Sequence, residues 1–112
     1  MRGVKEFTVK IQTLRRRFDR ERRKLDTSTQ GVREALIVDL EEAFTFAKER
    51  LYAVRKEAHK QYWARVVAYI AQTLAYVTKE YDLSKINDKL VELQRKFLEL
   101  KKNLLKQAGY VS

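Results

Sequence analysis

The chain has 112 residues, of which 45% are apolar and 36% charged, and its net charge is +10. That length suits one domain with a packed core and not two. The lack of cysteine excludes disulfides and thiolate metal sites, and the lack of proline lets helices run without interruption.

The first element is a helix over about 4–26. Val4, Phe7, Ile11, Leu14, Phe18 and Leu25 recur at steps of three and four, with Glu21 filling one slot, so one narrow apolar seam faces a neighbour. The run Thr27-Ser28-Thr29 then supplies turn and cap residues.

A second stripe starts near Val32 and passes through Leu36, Leu40, Ala43, Ala47, Leu51, Val54, Ala58, Tyr62, Val66, Tyr69, Thr73 and Val77. It predicts a long central helix over about 31–81, bent if anywhere near 55–61, where the pattern is thinnest. Unbroken, it would span roughly 75 Å at 1.5 Å per residue. The last helix, about 84–107, has Ser84 as its expected cap and a seam of Ile86, Leu90, Leu93, Phe97, Leu100 and Leu104. Val91, Leu98 and Leu105 widen that seam beyond what one neighbour covers. Gly109 is a natural stop. The expected fold is all-α: a single helical domain of antiparallel hairpins or a helix bundle around a long central helix. The first helix should fold back on the first half of the central one, and the last helix on its second half. An isolated monomer of that design would be loose.

Charge is unevenly spread. Residues 1–25 carry ten basic and three acidic groups, a net of +7. Residues 26–54 carry three basic and six acidic, a net of −3. The two later segments, 55–81 and 82–112, each carry +3. Such asymmetry points to a polyanionic partner. Arg15, Arg16, Arg17, Arg20, Arg22, Arg23 and Lys24 crowd into ten positions. On a helical wheel Arg16, Arg20 and Arg23 lie opposite the seam, about one turn or roughly 5.4 Å apart. Arginine suits phosphate because its guanidinium donates in a fixed fork. Two other readings stay open. The row is a solvated face, partly paired with Glu34, Asp39, Glu41, Glu42 and Glu49, or it meets an acidic lipid surface. No helix-turn-helix, zinc-finger or RNA-recognition signature accompanies it, so backbone contact without base reading is the economical expectation.

The stretch from Tyr62 to Tyr81 shows two apolar faces. Trp63, Val67, Ile70, Leu74, Val77 and Tyr81 could pack on the last helix. Tyr62, Val66, Tyr69, Thr73 and Tyr76 would then be left for a contact between chains, together with Val91, Leu98 and Leu105 on the last helix. Tyrosine, with apolar area and a polar tip, suits such an interface. The competing reading is a core helix buried on both sides.

Catalysis is not expected. His59 is alone and expected to be exposed, no metal set is present, and neighbouring carboxylates such as Glu41 and Glu42 point to different helix sides. No cofactor is called for. No apolar run follows Arg2, so no signal peptide is expected. Val66–Thr78 is too short to cross a membrane. A soluble intracellular protein, or part of an assembled particle, is the expectation.

The arginine-rich LRRRFDRERRK, the Ala/Tyr-rich WARVVAYIAQTLAYV and the terminal GYVS together resemble the small helical major coat proteins of filamentous viruses of hyperthermophilic archaea. The absence of cysteine and the scarcity of methionine and asparagine fit such a source. The resemblance implies helices that wrap double-stranded DNA, dehydrated toward A-form, with a virion as the location and a related helical chain as partner. Arg15, Arg16, Arg17, Arg20, Arg22, Arg23 and Lys24 would line the DNA. The function expected is therefore sequence-independent coating or packaging of DNA with self-assembly. The alternatives are a small helical accessory or adaptor subunit of a nucleic-acid-processing complex, and a coiled-coil module whose basic face is incidental.

Overall fold

A computed structural model describes residues 2–24 and 29–107, except for the side chains at 2, 14, 18, 21–24, 29 and 107. Among the described residues there are four helices and no strand: α1 (Arg2–Lys24), α2 (Thr29–Ala53), α3 (Glu57–Lys79) and α4 (Leu83–Gln107). The expected cap at Ser28 and stop at Gly109 lie outside the described residues, as do the seam side chains of Leu14, Phe18 and Leu25.

The long central helix is not continuous. It ends at Ala53 and restarts at Glu57, with Lys56 extended at φ −71° and ψ 135°. The molecule measures 48 × 27 × 19 Å, so no dimension would hold a helix of roughly 75 Å. Two forces favour the break. Folding α3 back on α2 buries apolar surface of both helices, with Phe46 against Trp63, which a straight rod would leave uncovered. The charges at the break also suit two helix ends: Arg50 sits in the last turn of α2 and Glu57 in the first turn of α3, each favoured by the local helix dipole.

Cross-contacts set the topology. Arg17 of α1 meets Asp39 of α2, Arg33 of α2 meets Thr78 at the end of α3, and Tyr76 and Tyr69 of α3 lie under Lys89 and Lys96 of α4. Each helix thus runs antiparallel to the one before. Phe7–Phe97 and Arg15–Gln94 close α1 onto α4. The result is an up-down-up-down four-helix bundle, within the expected all-α class.

Phe7 is fully buried and touches one aromatic ring from every other helix. It stacks on Phe46 at 6.1 Å, meets the edge of Trp63 at 5.5 Å, and lies 4.6 Å from Phe97. Ile11, Leu36, Leu40, Ile70, Val77, Ile86 and Leu90 extend this core along the bundle. α4 is covered by both α3 and α1, so its seam has two neighbours where the hairpin design expected one.

Side chains satisfy the start of α4 and the end of α3. The Asp82 carboxylate, not Ser84, caps α4. It accepts from the backbone N–H of Ser84 at 2.9 Å and, more weakly, from that of Lys85 at 3.4 Å. Arg33, only 8% exposed, donates to the Thr78 carbonyl at 3.0 Å and lies 4.1 Å over the Tyr81 ring. A cation from α2 therefore covers the negative end of α3.

Candidate nucleic-acid interface

The basic face of α1 is fixed by its seam. Val4, Phe7 and Ile11 point inward, so residues on the opposite side of the wheel must face out. Of the seven basic residues singled out in the sequence, Arg15, Arg16, Arg17 and Arg20 have described side chains; those of Arg22, Arg23 and Lys24 lie outside the described residues.

The four divide into two pairs. Arg15 leans toward α4, where it donates to the Gln94 side-chain oxygen at 2.6 Å. Arg17 leans the other way, toward α2, and donates to the Asp39 carboxylate at 2.7 Å. Arg16 and Arg20 lie on the arc between these two ties, and both are exposed. Lys5 is exposed on the same arc, nearer the start of α1. The two tied arginines fix the rotation of α1, and the other two project a charge row away from the bundle. Their neighbours on the helix surface are about 5–6 Å apart. The basic face of α1 does pair with acidic α2, through Arg17–Asp39.

The tyrosine row is not a surface. Tyr62 and Val66 are buried. Tyr62 packs on Phe97 at 5.9 Å, and Tyr69 and Tyr76 are half-buried beneath the Lys96 and Lys89 ammonium groups. Neither apolar face of α3 has its expected neighbour, and the helix is buried on both sides. The Trp63 face turns to α2, through Phe46 at 6.2 Å, and the tyrosine face turns to α4. The break at residues 54–56 is the cause, since it provides α3 with a neighbour on each side. The α4 flank behaves as expected in part: Val91 and Leu98 are 44% and 50% exposed, while Leu105 is half-buried.

One feature of the surface was missed by periodicity. Val9 and Val38 are each 55% exposed on the outer side of α1 and α2, off both seams. Apolar residues at polar positions of a helical pattern were the available signal. They border an open groove between the two helices, described below.

His59 is half-buried rather than exposed. Burial, and then the nearby Lys56 and Arg50 charges, push its imidazole below the usual histidine range. Among the described residues no cluster of His, Asp or Glu could hold a metal ion, and no helix is long and apolar enough to cross a membrane.

No protein-family model matches the chain, and no curated protein or solved structure matches it either.

Proposed function

We propose that this protein coats or packages double-stranded DNA as a structural, coat-protein-like component, binding phosphates through the outer face of α1 without reading sequence. The observation that carries the reading is the division of the arginines. Arg15 and Arg17 are tied to α4 and α2, and Arg16 and Arg20 are left exposed between them. A fixed row of guanidinium groups on a rigid helix meets a phosphate backbone at little entropic cost. The +7 balance of residues 1–25 supplies the long-range attraction. Self-association is part of the proposal, since a coat must pack copies along its nucleic acid.

A second reading, an accessory subunit of a larger nucleic-acid complex, draws on the exposed Val91 and Leu98 edge, which would suit one defined partner. It predicts a one-to-one complex with that partner in place of a self-assembled array.

The test is duplex binding across a salt series, using several unrelated sequences. Affinity should not depend on sequence. Changing Arg16 and Arg20 to glutamine should flatten the log–log salt slope by about 1.8, at about 0.9 per lost phosphate contact. Neutralising the exposed Lys60 and Lys79 of α3 should leave that slope nearly unchanged. Equal effects from both pairs would mean general charge attraction and no dedicated face on α1.

A further inference from the structure

The bundle carries two complementary surfaces that cannot meet within one molecule. The first is the open groove between α1 and α2, formed by two adjoining depressions of about 260 and 480 Å³ that share Lys10 and Glu42. Its apolar parts are Val9, Ala43, Val38 and Phe46. Its α2 rim carries Glu41, Glu42 and Glu49, all exposed. The α1 side contributes Lys10 and Arg17, and Arg17 is paired with Asp39, so the three rim glutamates leave the groove acidic.

The second surface is the flank of α4 that faces past α1. Val91 and Leu98 stand exposed there, with Leu105 half-buried one step further. Lys101 and Lys102 follow Leu98 by three and four residues, so they share its side of the helix. Two acids of α4 are paired within the helix, Glu92 with Lys89 and Lys96 and Glu99 with Arg95, and the third, Asp88, is more than three turns from Lys101 and Lys102. The flank is therefore an apolar ridge with basic neighbours.

We infer that the α4 ridge of one copy docks in the α1/α2 groove of a second copy. Apolar ridge meets apolar groove, and Lys101 and Lys102 meet Glu41, Glu42 and Glu49. Charge complementarity selects this pairing over ridge-on-ridge, which would bring lysines together, and over groove-on-groove, which would bring glutamates together. Within one molecule α1 separates the two surfaces, tied to α4 on one side by Arg15–Gln94 and to α2 on the other by Arg17–Asp39. Docked head-to-tail, each copy uses one surface and leaves the other free, so association continues into a ring or an open array. Arg16 and Arg20 line neither depression and stay available. This inference supplies the assembly contact for the coating function proposed above, but the contact itself needs no nucleic acid.

The experiment is sedimentation velocity of the full chain without nucleic acid over a concentration series. Wild type should associate, and increasingly so at low salt. Two charge-swapped variants are compared: Lys101→Glu with Lys102→Glu, and Glu42→Lys with Glu49→Lys. Each variant alone should stay monomeric while retaining wild-type helicity by circular dichroism. An equimolar mixture of the two should associate again, because each now offers the charge that the other lacks. Leu98→Asp, at an exposed position, should also abolish association without unfolding the chain. Association of the Glu42→Lys/Glu49→Lys variant on its own would overturn the inference, since it would mean ridge-on-ridge contact. A wild type that stays monomeric would also overturn it, and would leave these surfaces to a different partner. Salt-dependent duplex binding through Arg16 and Arg20 is measured separately, so the coating proposal stands or falls on a different readout.

Discussion

The Arg17 guanidinium and the Asp39 carboxylate join α1 to α2 at 2.7 Å, with the arginine side chain 49% exposed and the aspartate only 11%. The aspartate is thus held in the bundle surface while half of the arginine stays in water. This pair marks where the basic helix stops being free for a partner.

Asp39→Asn should release Arg17 without altering side-chain shape. If α1 is the phosphate-binding face, duplex affinity should rise, and the salt slope should steepen by about 0.9, the increment for one added contact. Stability should fall by less than about 1 kcal/mol, as for a partly exposed ion pair. Unchanged affinity and slope in fluorescence anisotropy would place Arg17 away from the nucleic acid.

Phe7→Ala should be the most damaging single truncation in α1. The ring contacts Phe46, Trp63 and Phe97 on three other helices, so its loss opens a cavity where all four helices converge. A cost of about 3–5 kcal/mol is expected. Urea unfolding should show the midpoint fall sharply. A loss below about 1 kcal/mol would contradict the closed four-helix core.

Tyr62 provides a pH signature. Its hydroxyl is buried with no protein group to hydrogen-bond it, and desolvation raises its pKa well above the ordinary tyrosine value. The folded state therefore holds the proton after the unfolded chain begins to release it near pH 10. The resulting contribution to stability is complete below about pH 10 and declines as pH rises beyond it. Tyr62→Phe should be at least as stable as wild type at neutral pH, because it removes an unpaired buried hydroxyl. It should also flatten the alkaline limb of the stability curve. A parallel alkaline limb in both proteins would show that Tyr62 does not govern it.

The cap of α4 is Asp82 and not Ser84, which the sequence suggested. Asp82→Ala should destabilise by about 1 kcal/mol through loss of the α4 cap, whereas Ser84→Ala should change little. Thermal melts of the two variants decide it; equal shifts would remove Asp82 from the capping role.

How much of this was legible beforehand follows from what periodicity measures. The seams of α1 and α4 appear in the sequence because each is a single stripe at steps of three and four, and Val4, Phe7 and Ile11, like Ile86, Leu90, Leu93 and Phe97, are buried as the pattern requires. The outward placement of Arg16 and Arg20 follows from the same pattern, since a residue opposite a buried seam has nowhere else to point. Composition, with no proline and few glycines, allowed long helices, and the periodicity of three and four made the chain read as all-helical.

The thin stretch of the stripe near 55–61 marks where a bend is easiest, but only tertiary structure decided that the chain turns back there, since no glycine or proline marks residues 54–56. The turn forms because packing α3 between α2 and α4 removes more apolar surface from water than a rod can. That single choice moved the tyrosine row from an expected interface into the contact between α3 and α4. It also tied Arg15 and Arg17 to different neighbours, because the partners of a side chain depend on which helices are adjacent. Periodicity reports which face of a helix turns inward; only the packed bundle specifies what that face meets.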